Sequence, residues 1–216
     1  MAWDFGAEIH ALTGFDADST DATATAETYQ VHATRWLTDS AKEVINVLPP
    51  RLLNLCASQQ TFTSGTADTL NTGKVLTVFR NDGEVDQPCR EINPEQKGRY
   101  SDPSDMNKAT ITDPVYFIEN NTIDVLPVGG SCKYSEVQYP SVAYNGTAIA
   151  VFPDEAERAV ILGASIKAAE YMFAHDQDLE LTGPIVTGLK GDYQKVLEGL
   201  ATGRPSMPQQ QQGGAR

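Results

Sequence analysis

The chain has 216 residues, with 29 acidic and 16 basic side chains and a formal net charge of −13. A chain of this length hides roughly 70% of its unfolded surface, and 40% hydrophobic residues exclude wholesale disorder. The acidic excess argues against duplex nucleic acid and anionic membranes as partners, since both are bound through Lys and Arg.

The first segment, residues 1–25, reads as an acidic arm. It carries Asp4, Glu8, Asp16, Asp18 and Asp21 without Lys or Arg. Its apolar residues, Trp3, Phe5, Ile9, Leu12 and Phe15, are too few for a core and are expected to dock on the same chain or a neighbour. Its opening MAWDFGAEIH lacks the basic-then-apolar order of a secretion signal. From about Ala26, Tyr29, Ala33, Trp36, Leu37, Ser40, Val44 and Leu48 recur at steps of three and four, which predicts an amphipathic helix. Asp21, Thr23 and Thr25 are candidate caps, and Pro49-Pro50 ends the helix.

Residues 57–150 read as β structure. A strand is expected over 73–80, a turn at Asn81-Asp82-Gly83 and a return through Val85 to Ile92. A long polar loop follows over 93–110. Strands are expected at 114–119 and 122–126 around the Asn120-Asn121 turn, then from Cys132 to Tyr139. Five or six antiparallel strands in a small sheet or open barrel are expected.

Pro153 opens a second helix at its first turn, where Asp154, Glu155 and Glu157 suit the positive helix end. Ala159, Leu162, Ile166, Ala169 and Phe173 form one apolar stripe, and Ile161, Ala168 and Met172 form another. The second stripe is the candidate for packing between subunits. A third helix is expected from about Gly183-Pro184 to Ala201, weakened by Gly188, Gly191 and Gly199. Thr202 to Arg216 is a tail rich in Gly, Pro and Gln that cannot build a core.

The expected fold class is therefore α+β: a helical bundle of three main helices with an inserted small antiparallel β-sheet or open barrel, and extended N- and C-terminal arms. The segments are 1–25 for the acidic arm, 26–56 with 151–201 for the helical domain, 57–150 for the β insertion and 202–216 for the tail.

Catalytic and metal signatures are sparse. His10, His32 and His175 stand far apart in sequence, and no Cys–His ligand spacing, Walker loop or G-x-S-x-G occurs. No catalytic residue, cofactor or metal site is expected. Asp16, Asp18 and Glu27 partly mimic a calcium loop, but Asp21 stands where the turn needs glycine, so a solvated linker is the better reading. Cys56, Cys89 and Cys132 are odd in number and widely spaced, so three reduced thiols are expected. Asn120-Asn121-Thr122 and Asn145-Gly146-Thr147 match the glycosylation acceptor, a pattern common by chance. Trp36, on a helical stripe, reads as core.

Three stretches together carry a resemblance. They are Ala33-Thr-Arg-Trp36-Leu37 through Val44 to Pro49; Ala109 to Ile118; and Tyr139-Pro-Ser-Val-Ala through Phe152 to Ala156, continuing over Val160 to Tyr171. Their order resembles virion neck proteins of tailed bacteriophages, the head–tail connectors or adaptors. The resemblance implies a non-enzymatic ring between portal and tail. Its partners would be the portal ring, adjacent copies and the next neck or tail protein. DNA would pass through the channel without specific binding, repelled by an acidic wall, with no membrane involved. The location implied is the virion neck, after synthesis in the host cytoplasm. It also implies that the tail reaches the portal, which makes Arg204, Pro205, Met207, Pro208, Gln209, Gln210 and Arg216 the candidate docking residues. Other readings are a tail-completion or stopper protein and a host-surface-binding module, for which Tyr116, Tyr134, Tyr139 and Tyr144 are the candidate exposed aromatics.

Overall fold

A computed structural model describes residues 4–18, 29–176 and 179–202. The chain divides into two compact units. One comprises the residues up to Leu52 with those from Tyr139 onward; the other is Leu53–Gln138.

The helical unit is built around one buried helix. Helix α1 (Phe5–Thr13) starts at Asp4, whose Oδ1 accepts the Ala7 N–H at 2.7 Å, and stops at Gly14 in the left-handed region. Helix α2 (Tyr29–Val47) buries Ala33, Leu37, Ser40 and Val44 of the predicted stripe, with Ala41 and Ile45 beside them, leaves Tyr29 and Trp36 half-buried, and ends before Pro49. The caps proposed at Asp21, Thr23 and Thr25 lie outside the described residues. A short α3 (Pro50–Leu53) follows. Residues 139–153 form a strap across α1 and α2: Phe5 N–H donates to Gly146 O, Gly6 N–H to Tyr144 O, and Val142 N–H to Thr38 Oγ1. Helices α5 (Asp154–Asp176) and α6 (Leu179–Thr202) complete the unit.

Helix α5 packs against α1, α2 and α6, which bury most of its circumference. Ala156, Ala159, Val160, Ala164, Ala168 and Ala169 are fully buried along it. Such small residues allow close helix approach. At Gly163 an added Cβ would stand 3.0 Å from Ser40 Oγ and 3.1 Å from its Cβ. Ion pairs bind the sheath at its surface: Lys167 to Glu43 at 2.9 Å, Lys190 to Glu170 at 2.8 Å and Arg158 to Glu8 at 3.6 Å. Helix α6 begins four residues before the expected start, with Pro184 early in the helix.

The β unit holds eight strands: β1 (Ala57–Thr63), β2 (Asp68–Thr69), β3 (Val75–Asn81), β4 (Asp86–Pro88), β5 (Arg90–Glu91), β6 (Val115–Glu119), β7 (Thr122–Leu126) and β8 (Ser131–Val137). They form two four-stranded sheets, ordered β1-β8-β3-β4 and β2-β7-β6-β5. Val78, Cys132 and Tyr134 of the first sheet pack on Ile123 and Val125 of the second. The outer face of the second sheet, with Val115, Phe117 and Leu126, is covered by Ile92, Ala109 and Tyr100. Tyr100 comes from α4 (Lys97–Ser101), inside the stretch expected to be loop. The β6–β7 turn carries Asn120 and Asn121 at φ 50° and 61°, the left-handed pair that a two-residue hairpin demands.

The expected fold class is corrected on four points. The described chain has six helices, not three, and two four-stranded sheets in place of one small sheet or open barrel. The pairing is not wholly antiparallel, because β5 lies parallel to β6 across the excursion that carries α4. The acidic arm is not extended: residues 5–13 are helical and bury Phe5 and Ile9. Alternation in sequence signals strands but not how they divide between sheets, which long-range packing decides.

Glu136 on β8 is fully buried and accepts hydrogen bonds from Thr72 N–H at 2.6 Å, Gly73 N–H at 3.0 Å and Thr72 Oγ1 at 3.2 Å. Burial alone would raise its pKa. The backbone amides of Thr72, Asn71 and Gly73 outweigh that and hold it below the ordinary 4.5.

Because the folded pKa of Glu136 is depressed, its stabilisation is present above pH 4.5 and is lost as pH falls through the folded value. Glu136→Gln should cost about 1–3 kcal/mol at neutral pH and flatten the acid limb of a stability–pH curve from denaturant melts; an unchanged limb refutes the assignment. Gly188 and Gly191 of α6 have open space at their Cβ positions. Their change to Ala should stabilise by about 1 kcal/mol each, whereas Gly163→Ala should destabilise by about 1–3 kcal/mol. Thermal melts of the three variants check the opposite signs.

Candidate functional site

The most developed local chemistry of the helical unit is an aromatic cluster. Gly14 turns the chain after α1, and Thr13 Oγ1 accepts the Phe15 N–H at 3.0 Å, which sends Phe15 inward. Phe15 meets Trp36 edge-on at 5.2 Å and Tyr29 at 5.3 Å between ring centroids. His32 stacks on Trp36 at 5.7 Å and lies 5.2 Å from Tyr171, which is itself 5.3 Å from Trp36. Phe15 is buried, and the other rings are half-buried. Such edge and stacked contacts contribute about 0.5–1.5 kcal/mol each beyond area burial. They fasten the 14–18 turn onto α2 and α5. Trp36 therefore serves as packing, as its helical position suggests, but in a half-buried ring cluster rather than the deep core.

A small cavity of about 190 Å³ is edged by Asp4, His10, Asp16, Asp18 and Tyr144, with Gly6, Ala7 and Ala17 between them. Its carboxylates are already engaged. Asp4 caps α1, Asp16 Oδ1 accepts the Asp18 N–H at 2.9 Å, and Asp18 Oδ1 accepts from Gln30 Nε2 at 3.0 Å and Tyr144 OH at 3.4 Å. Burial and the Asp18 charge push the Tyr144 phenol up. Among the described residues no group of three or more His, Cys, Asp or Glu could hold a metal ion. Glu27 and Asp21 of the calcium-like stretch lie outside the described residues.

Among the described residues, His10 and His32 are drawn into different surroundings. His10 edges the cavity and His32 sits in the ring cluster; the side chain of His175 lies outside the described residues. The tyrosines that a host-binding face would need are not on one sheet face. Tyr134 is buried, and Tyr116 is half-buried with its OH on Glu91 at 3.1 Å. Tyr139 and Tyr144 belong to the helical unit. Of the subunit-packing candidates, Ile161 and Ala168 are buried and Met172 is half-buried. The docking candidates Arg204, Pro205, Met207, Pro208, Gln209, Gln210 and Arg216 all lie outside the described residues.

The strap and the ring cluster were not legible in sequence. The rings come from a turn, from α2 and from α5, more than a hundred residues apart, and no local period links them. No helix among the described residues is long and apolar enough to cross a membrane. No protein-family model matches the chain, and no curated protein matches it.

All three thiols are free, with Cys56 and Cys132 buried and Cys89 half-buried. Burial pushes Cys56 up to about 11 and Cys89 up to about 12. At neutral pH they are protonated and poor nucleophiles. A thiol reagent should label the native protein slowly and all three sites after denaturation; mass spectrometry that recovers a disulfide-linked pair refutes this.

Proposed function

We propose that the chain is a structural protein of a tailed-phage neck, a head–tail adaptor that forms a ring between portal and tail. The observation that carries the reading is the arrangement of the resembling stretches. The first is α2 up to its proline stop, the second leads into β6, and the third is the strap with α5. The β unit is thus inserted in sequence between the two parts of the helical unit.

The charge supports the same role. A surface of −13 lets a DNA duplex slide past without counterion release to hold it. The partners proposed are the portal ring, adjacent copies and the next tail component, with the neck of the virion as the location. The C-terminal tail is the proposed portal strap. Arg204 and Arg216 are its only charges and suit an acidic or carbonyl-lined groove, and Pro205 and Pro208 lower the entropy lost on docking. Repetition around a ring multiplies a weak contact.

The test uses portal rings from the same phage. The full chain should be captured by immobilised portals and add a ring of density below the portal in electron micrographs. Removal of residues 203–216 should leave the circular dichroism unchanged and abolish capture. A full chain that leaves portals bare overturns the adaptor reading; a truncated chain that binds as tightly as the full one overturns the strap alone.

A further inference from the structure

Strand β1 is the outer strand of its sheet and bonds only to β8. Gln138 N–H donates to Cys56 O and Ser64 N–H to Gly130 O, which sets the phase of that ladder. Residues 56, 58, 60, 62 and 64 therefore turn their backbone groups toward β8, and Ala57, Gln59 and Thr61 turn theirs outward. Among the described residues nothing meets those outward N–H and C=O groups; Thr63 O, the next in line, accepts from Thr66.

Exposed edges are normally blunted by charge, proline or brevity. The other three edges of these sheets are. Strand β4 has three residues, with Pro88 and an Asp86 paired to Lys133, while β2 and β5 have two residues each. Strand β1 has seven residues and no such protection, and residues 52–67 contain no Asp, Glu, Lys or Arg. On a chain of −13, this edge can meet a like-charged copy without local repulsion.

We propose that β1 pairs antiparallel with β1 of a second copy, about a two-fold axis at Gln59. In that register Gln59 lies opposite Gln59 of the partner copy, and Ala57 opposite Thr61, so every outward backbone group finds a donor or acceptor. The ends match as well. Leu55, 54% exposed, precedes the strand, and Val128, 64% exposed, packs at Gly65 just beyond it. An antiparallel pair brings each Leu55 toward the Val128 end of the other copy. One strand edge with two apolar end contacts falls short of the about 1,200 Å² of a stable interface, so the dimer is weak and forms with rising concentration. This pairing does not rest on the neck reading.

Sedimentation velocity of the full chain, from low micromolar to near-millimolar concentration, should show a monomer passing to a dimer. Added salt should favour the dimer by screening the net charge. Hydrogen exchange should slow at the amides of residues 57, 59 and 61 as the dimer forms, while those of 58, 60 and 62 are protected throughout. Gln59→Glu places two carboxylates opposite each other and should raise the dissociation constant about tenfold or more. Gln194→Glu, which adds the same charge on the exposed face of α6, should leave it near the parent value. A monomer at every concentration overturns the proposal. So does a dimer whose 57, 59 and 61 amides stay fast, or one indifferent to Gln59→Glu.

Discussion

The helical unit depends on keeping α5 out of water. Between Ala156 and Ala169 only Glu157, Arg158 and Lys167 escape burial, and even these reach partners on the strap, α1 and α2. No single neighbour can cover a helix that is apolar around most of its circumference. The cover comes from α1 and α2 before the β segment and α6 after it. Segments from both sides of the insertion therefore pack on α5, and the β unit leaves and re-enters between them. Small side chains on α5 permit the close approach, at the cost of a tight fit at Gly163 and Ser40. Ser40 and Ser165 are buried on these faces, and among the described residues their Oγ atoms meet no hydrogen-bond partner.

The β unit solves a different problem. Its second sheet is covered on both faces, by the first sheet on one side and by the α4 excursion on the other. Buried polar groups hold its loops. Glu136 gathers the 71–73 turn, and Arg80 donates to Pro127 O while lying against Gly130, where a Cβ would stand 2.7 Å from its guanidinium carbon. Each such group is costly to bury and is retained where a loop needs several donors or acceptors at once. The sheet edges are short or charged except along β1, which leaves one long uncharged edge.

The two chemical themes, acid on the surface and tight apolar contact inside, bear on the adaptor reading. A protein that lines a DNA channel gains from repulsion and needs no pocket; one that bridges rings gains from termini that strap. The aromatic cluster and the strap show how far segments distant in sequence fasten one another within the helical unit.

The sequence alone determined the long elements. The three- and four-step stripes of α2 and α5 mark their helices, Pro49 and Pro153 mark where one stops and the other starts, and Asn120-Asn121 marks a hairpin, because each signal acts within a few residues. Helix α1 was missed for want of apolar residues, since its stability comes from Phe5 and Ile9 lying on the rest of the unit. The parallel β5–β6 pairing, the division into two sheets and the ring cluster were decided by tertiary structure alone. Each joins residues tens to more than a hundred positions apart, and local propensity carries no term for the partner that will cover a given face.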